Sequence, residues 1–223
     1  MLDEASHRKN SVNSILLFDF DGTIALGDGP VLAYAQQVAN RLGDDGSLLD
    51  DVRALIATAD EEALDGYDAV RRLAETRGAD ARLLSAAYLA SRAQLATPDA
   101  PIAVPDGLVD FLASVDAERV LVTNAPAIRI VDALETLGLG GLFDRIVTGA
   151  GKPAGLETLL AALPEDARVL SIGDIWHNDL APAHARGHAT ALIGGFSDPE
   201  ATPTFRAAEF STLVPQLEAW LRG

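Results

Sequence analysis

Residues 14–23 read SILLFDFDGT, and this stretch decides how the rest of the chain is organised. Ile15 to Phe18 is an unbroken apolar run that stops at Asp19, the pattern of a strand buried on both faces whose carboxyl end opens into a polar loop. Open α/β sheets bind their ligands outside such strand ends. Asp19 and Asp21 stand at that end, and on a continuing strand they would point the same way. That arrangement is costly unless a cation or a proton neutralises one of them.

Beyond Pro105 the sequence alternates. Leu108 to Val115 reads as helix, Arg119 to Val122 as strand, Pro126 to Leu137 as helix, Arg145 to Val147 as strand and Ala154 to Leu163 as helix. Val169 to Ile172 follows as strand, Leu180 to Arg186 as helix and Thr190 to Ile193 as strand. This alternation predicts a parallel sheet with right-handed helical crossovers. Ser211 is the expected cap of a last amphipathic helix carrying Leu213, Val214, Leu217, Trp220 and Leu221.

The intervening stretch from Gly27 to Val104 shows no strand pattern. Val31, Tyr34, Val38 and Leu42 share one helical face, with Pro30 in the first turn. Leu48, Leu49, Val52, Leu55 and Ile56 predict a second helix, Ala69, Val70, Leu73 and Ala74 a third, and Leu84, Tyr88 and Leu95 a fourth, enough for a small bundle. With 7 Arg against 13 acidic residues, its outer surface is solvated carboxylate. The expected division is a mobile lead-in over 1–13, an α/β core from 14–26 and 105–223, and a helical unit over 27–104.

Composition narrows the function. The chain has 223 residues, 48% hydrophobic and 22% charged, with a formal net charge of -16, so it buries a core and its field repels nucleic-acid phosphates and anionic membranes. The absence of Cys excludes disulfides, thiolate metal sites and a Cys nucleophile. A cytoplasmic protein with no nucleic-acid or membrane partner is expected, as a monomer or weak dimer.

The informative polar residues all follow predicted strands. Besides Asp19, Asp21, Gly22 and Thr23 there are Thr123 and Asn124 after VLV, then Lys152, and then GDIWHNDLA with Asp174 and Asp179. A hydroxyl at Thr123 can donate to a phosphate oxygen, and the helix after Pro126 is expected to present its positive end there. Acidic clusters, one ammonium and exposed backbone N–H groups suit a hard divalent cation with a dense anion, and oxygen-only ligands favour magnesium. With the metal present, one carboxylate can attack phosphorus while a nearby protonated carboxyl supplies the leaving oxygen with its proton.

DFDGT, then TN, KP and GDIWHND, in that order on an α/β pattern, resemble the haloacid dehalogenase superfamily. The resemblance implies a parallel Rossmann-like three-layer core with an inserted α-helical cap. It implies that Asp19 is the nucleophile and Asp21 the general acid and base, whose backbone carbonyl also binds magnesium. Thr123 and Lys152 would hold the phosphoryl group, Gly22, Thr23 and Asn124 would bind substrate, and Asp174 and Asp179 would complete the metal site. The family also uses a spacing that would place Asn178 in the role of Asp179. About 100 residues separate Asp21 from Thr123 but only 29 separate Thr123 from Lys152, which places the cap after the first motif. The expected activity is hydrolysis of a small phosphorylated metabolite, with phosphomutase and a non-catalytic magnesium- or phosphate-binding module as the alternatives. An acid at Asp21 argues against dehalogenation. Trp176 and His177 could line the entrance. Arg53, Arg71, Arg72, Arg77 and Arg92 could include a substrate-reading residue of the cap, none singled out by name, while most are ordinary helix-surface cations, and Tyr34 and Tyr88 read as core residues.

Overall fold

The computed structural model describes residues 14–58, 65–194 and 198–223. The lead-in expected over 1–13 lies outside these. A six-stranded, wholly parallel sheet forms the centre, in the order β3-β2-β1-β4-β5-β6. Its strands are β1 (Ser14–Phe18), β2 (Glu118–Val122), β3 (Arg145–Val147), β4 (Arg168–Gly173), β5 (Ala189–Ile193) and β6 (Phe205–Ala207). All five residues of β1 are buried, because side chains alternate across the pleat and both faces are covered. Leu16 and Phe18 pack with Leu108 and Phe111 of α5 (Leu108–Ser114), Ile130 and Leu134 of α6 (Ile130–Thr136) and Phe210, Leu213 and Leu217 of α9 (Phe210–Arg222). Ile15 and Leu17 face the other way, onto Leu156 and Leu160 of α7 (Ala154–Ala161) and Ala183 of α8 (Ala181–Ala185).

The insertion follows β1. It comprises α1 (Gly29–Leu42), α2 (Ser47–Thr58), α3 (Gly66–Thr76) and α4 (Ala81–Arg92), closed around a cluster of its own that includes Tyr34, Val38, Leu48, Val52, Val70 and Leu84. Where the chain leaves and re-enters the sheet region, Leu26 and Ala103 exchange two backbone hydrogen bonds of 2.8 and 2.9 Å. No described helix is long and apolar enough to cross a membrane.

Five details depart from the sequence reading. The helix expected from Pro126 begins only at Ile130, because Arg129 adopts φ +56° and its Nε donates to the Leu95 carbonyl at 2.8 Å, bending the turn toward the returning insertion. The helical end expected behind Thr123 is therefore absent. Leu95 lies past the end of α4 and joins the sheet-side core instead of the bundle. The helix read from Leu180 is preceded by a π-helical turn over Trp176–Leu180, closed by the Ala181 N–H donating to the Trp176 carbonyl. Glu209, not Ser211, stands at the start of α9, since Phe210 is held in the core against Phe18 and Phe111. The short edge strand β6 has no readable apolar run, and the reciprocal bonds of Thr190 and Thr204, 3.1 and 3.0 Å, hold its approach to β5.

Candidate active site

Register brings the motifs together. Phe18 pairs with Leu121 on one side and Ile172 on the other, so Asp19, Thr123 and Asp174 leave the sheet side by side. The order of the strands reverses between β1 and β4, which is where an open α/β sheet forms its crevice. The Asp19 N–H still donates to the Ile172 carbonyl at 2.9 Å, and the Phe20 carbonyl accepts from Ile24 and Ala25 at 3.0 and 2.9 Å. The loop is thus rigid. Gly22 sits at φ +81°, and a Cβ there would collide with the Asp174 carboxylate, so glycine is required on both counts.

Lys152 is the electrostatic centre. Its Nζ donates to Asp19 Oδ1 at 2.5 Å and to Asp179 Oδ1 at 2.6 Å, and the side chain is 4% exposed. Asp179 Oδ2 accepts from the Ile175 N–H at 3.0 Å. Oxygens of Asp19, Asp174 and Asp179 lie within 4.8 Å of one another. Burial, reinforced by Asp179, pushes the Asp19 carboxyl up to about 7 despite Lys152. Burial, with Asp19 and Asp179, holds Asp174 well above the carboxylate range. Burial alone would lower the Lys152 ammonium, but Asp19 and Asp179 outweigh it and raise its pKa. Three close carboxylates against one ammonium cannot all ionise without a further cation or a proton, and their oxygen-only donors fit magnesium. The Asp21 carboxylate stands outside this cluster, in keeping with a part at the metal expected of its backbone carbonyl and not of its side chain.

The expected substrate residues divide in two. Thr123 lines a cavity of about 170 Å³ together with Asp19, Asp21, Lys152, Asn178 and Asp179. Its Oγ1 accepts from the Ala125 N–H at 3.0 Å. Gly22 and Thr23 do not line that cavity; Thr23 is fully buried, and its hydroxyl donates to Asp174 Oδ1 at 3.3 Å. Asn124 reaches the cavity, but its amide spans the Lys152 backbone, accepting from the N–H at 2.7 Å and donating to the carbonyl at 3.3 Å. In the structure Gly22 and Thr23 thus lie against Asp174, and Asn124 against the Lys152 backbone. Trp176 and His177 are absent from the lining, and Trp176 packs against His184.

The insertion supplies the opposite wall with Asp65, Tyr67 and Tyr88. Tyr88 does pack edge-on against Tyr34 and Tyr67, as a core residue would, but it also faces the cavity. Behind this wall Arg92 Nη1 donates to both Asp21 oxygens, at 2.9 and 3.2 Å. The sequence reading did not point to Asp65 or Tyr67, and it named Arg92 only among five arginines of which one could read the substrate. For Arg92 a signal was present: it falls four residues after Tyr88 and eight after Leu84, a cation on the apolar stripe of α4.

A family model described as hydrolase, haloacid dehalogenase-like hydrolase, matches residues 14–187. No curated protein matches the chain. Among solved structures, magnesium-bound YfnB of Bacillus subtilis, a HAD-hydrolase, shares 18% identity over 92% of this chain and 99% of its own, at a TM-score of 0.62. A predicted phosphoglycolate phosphatase from Haemophilus somnus shares 16% over 93% and 99%, at 0.60. A 2-haloacid dehalogenase from Pseudomonas syringae shares 18% over 93% and 99%, at 0.55. At these identities the likeness is one of fold.

Proposed function

Because the chain belongs to the haloacid dehalogenase-like hydrolase family, we propose that it is a magnesium-dependent phosphatase of small phosphate monoesters, working through an aspartyl-phosphate on Asp19. The observation that carries this reading is the bridge of Lys152 between Asp19 and Asp179 at the floor of the cavity. Lys152 occupies Asp19 Oδ1 and leaves Oδ2 for attack. That oxygen bonds to phosphorus as the bond to the ester oxygen breaks, and Asp21, on the cavity wall, gives the leaving oxygen a proton. A water then gives its proton to Asp21 and its oxygen to phosphorus, which frees Asp19 and releases phosphate. The ammonium of Lys152 and the hydroxyl of Thr123 hold the phosphoryl oxygens meanwhile. Asp19, Asp174 and Asp179 would hold magnesium, whose charge offsets that of the transferring group.

Asp21 favours phosphoryl over halide chemistry, because an alkoxide needs a proton to leave. The cavity, about 170 Å³, is on the scale of a small ester. In this reading residues 27–104 form the cap over a core of 14–26 and 105–223.

The test is rapid-quench trapping of covalently bound phosphate, with magnesium or excess chelator. Wild type should release phosphate only with the metal, Asp19→Asn should trap none, and Asp21→Asn should accumulate it. Full turnover in chelator, or trapped phosphate in Asp19→Asn, would overturn the proposal.

A further inference from the structure

Arg92, the last residue of α4, is 1% exposed, the most deeply buried charged side chain among the described residues. Its Nη1 meets both Asp21 oxygens and also donates to the Tyr67 hydroxyl at 3.0 Å; that hydroxyl in turn lies 3.3 Å from Asp21 Oδ1. The guanidinium stands over the Phe20 ring, 5.7 Å from its centroid. Its Nε and Nη2 have no hydrogen-bond partner among the described residues.

Fold stability does not account for this arrangement. A buried guanidinium is expensive to desolvate, more so with two of its nitrogens unpartnered, and an apolar side chain of similar volume serves a core as well or better. Nor does Arg92 reach the substrate, since it does not line the cavity. Asp21 and Tyr67 do line it. Asp21 is 26% exposed, and without an anchor its carboxylate would be free to rotate. Oδ1 meets both Arg92 and Tyr67, whereas Oδ2 has only the longer bond to Arg92. Oδ2 thus keeps capacity toward the cavity.

We infer that Arg92 is a positioning residue, through which the inserted helices aim the Asp21 carboxylate at the oxygen that leaves phosphorus. The inference rests on the reading of Asp21 as general acid. Three elements meet at this one group: the loop after β1 provides Asp21, α3 provides Tyr67 and α4 provides Arg92. The acid is fully aimed only while the insertion is seated on the sheet.

Arg92→Met, Asp21→Asn and the double variant, assayed with magnesium on benzyl phosphate and para-nitrophenyl phosphate, separate this role from a structural one. The benzyl alkoxide needs a proton to depart and the nitrophenolate does not. Arg92→Met should lose about tenfold or more in kcat on the benzyl ester and less than about threefold on the aryl ester, part of the roughly 10²- to 10⁴-fold that a general acid contributes. KM should change little, and in the Asp21→Asn background Arg92→Met should cost nothing more. If Arg92→Met does not fold, Arg92→Lys keeps the charge without the reach to span Asp21 and Tyr67, and should show the same selective loss. Equal losses on both esters, or a loss that adds to that of Asp21→Asn, would overturn the assignment alone. A wild type inactive on both esters would overturn the phosphatase reading along with it.

Discussion

Asp19 is held in a setting that disfavours its charge. Burial first, and Asp179 second, raise its carboxyl from an ordinary 3.8 to about 7, and Asp174 moves in the same direction. In metal-free protein between those two values, the folded state holds a proton that the unfolded state has released, so this group's contribution to stability falls as pH rises and levels off above about pH 7. Asp19→Asn removes the titration. With chelator, the melting temperature of wild type measured against Asp19→Asn should therefore decline from about pH 4 to about pH 7, and magnesium should recover the lost stability above that window. A difference that rises with pH, or stays flat, would contradict this account. Asp19 and Asp174 were legible in the sequence because each stands just past an apolar strand, and Asp21 and Asp179 by their spacing from those two. Tyr67 and Asp65 were not legible, since helices of an acidic bundle carry many such residues and only tertiary contact selects among them.

The strands were readable for a related reason: a strand covered on both faces has to be almost continuously apolar, as LLF and VLV are and as LSI is but for Ser171, whose hydroxyl donates to the Asp179 carbonyl. Where structure depends on a contact distant in sequence, the pattern failed. Arg129 breaks the start of α6 to reach Leu95, and β6 exists because β5 offers it an edge. The loop before α7 illustrates how an element end becomes chemistry. Asn124, at the end of β2, grips the Lys152 backbone on both sides, and so sets where the ammonium points. Asn124→Ala removes two hydrogen bonds at an exposed position, a stability loss of about 1 kcal/mol each at most. The same change should lower kcat more than tenfold, because a misaimed charge forfeits positioning. Chemical denaturation alongside steady-state kinetics checks the two together, and a loss of turnover no larger than the loss of stability implies would count against Asn124 as the support of Lys152.

At the scale of the molecule, two hydrophobic clusters serve the sheet and a separate one serves α1 to α4. Among the described residues, the Leu26–Ala103 ladder and side chains such as Leu95, Tyr67 and Arg92 connect the insertion to the sheet. Replacing residues 29–91 by a short linker keeps the ladder and Leu95. It should give a folded core that hydrolyses phosphate esters slowly, with little discrimination among them. A set of esters differing only in the alcohol checks this, and selectivity surviving the replacement would move substrate recognition into the sheet half. The sheet's outline bears on a different matter. Both margins are three-residue strands, β3 and β6, too short to template pairing with another chain. SILLF, five uncharged and mostly apolar residues, has the composition of segments that pair in fibrils, and it is paired on both sides by β2 and β4. Aggregation on heating should therefore wait for the whole sheet to open, so that solubility is lost at the unfolding temperature and not below it.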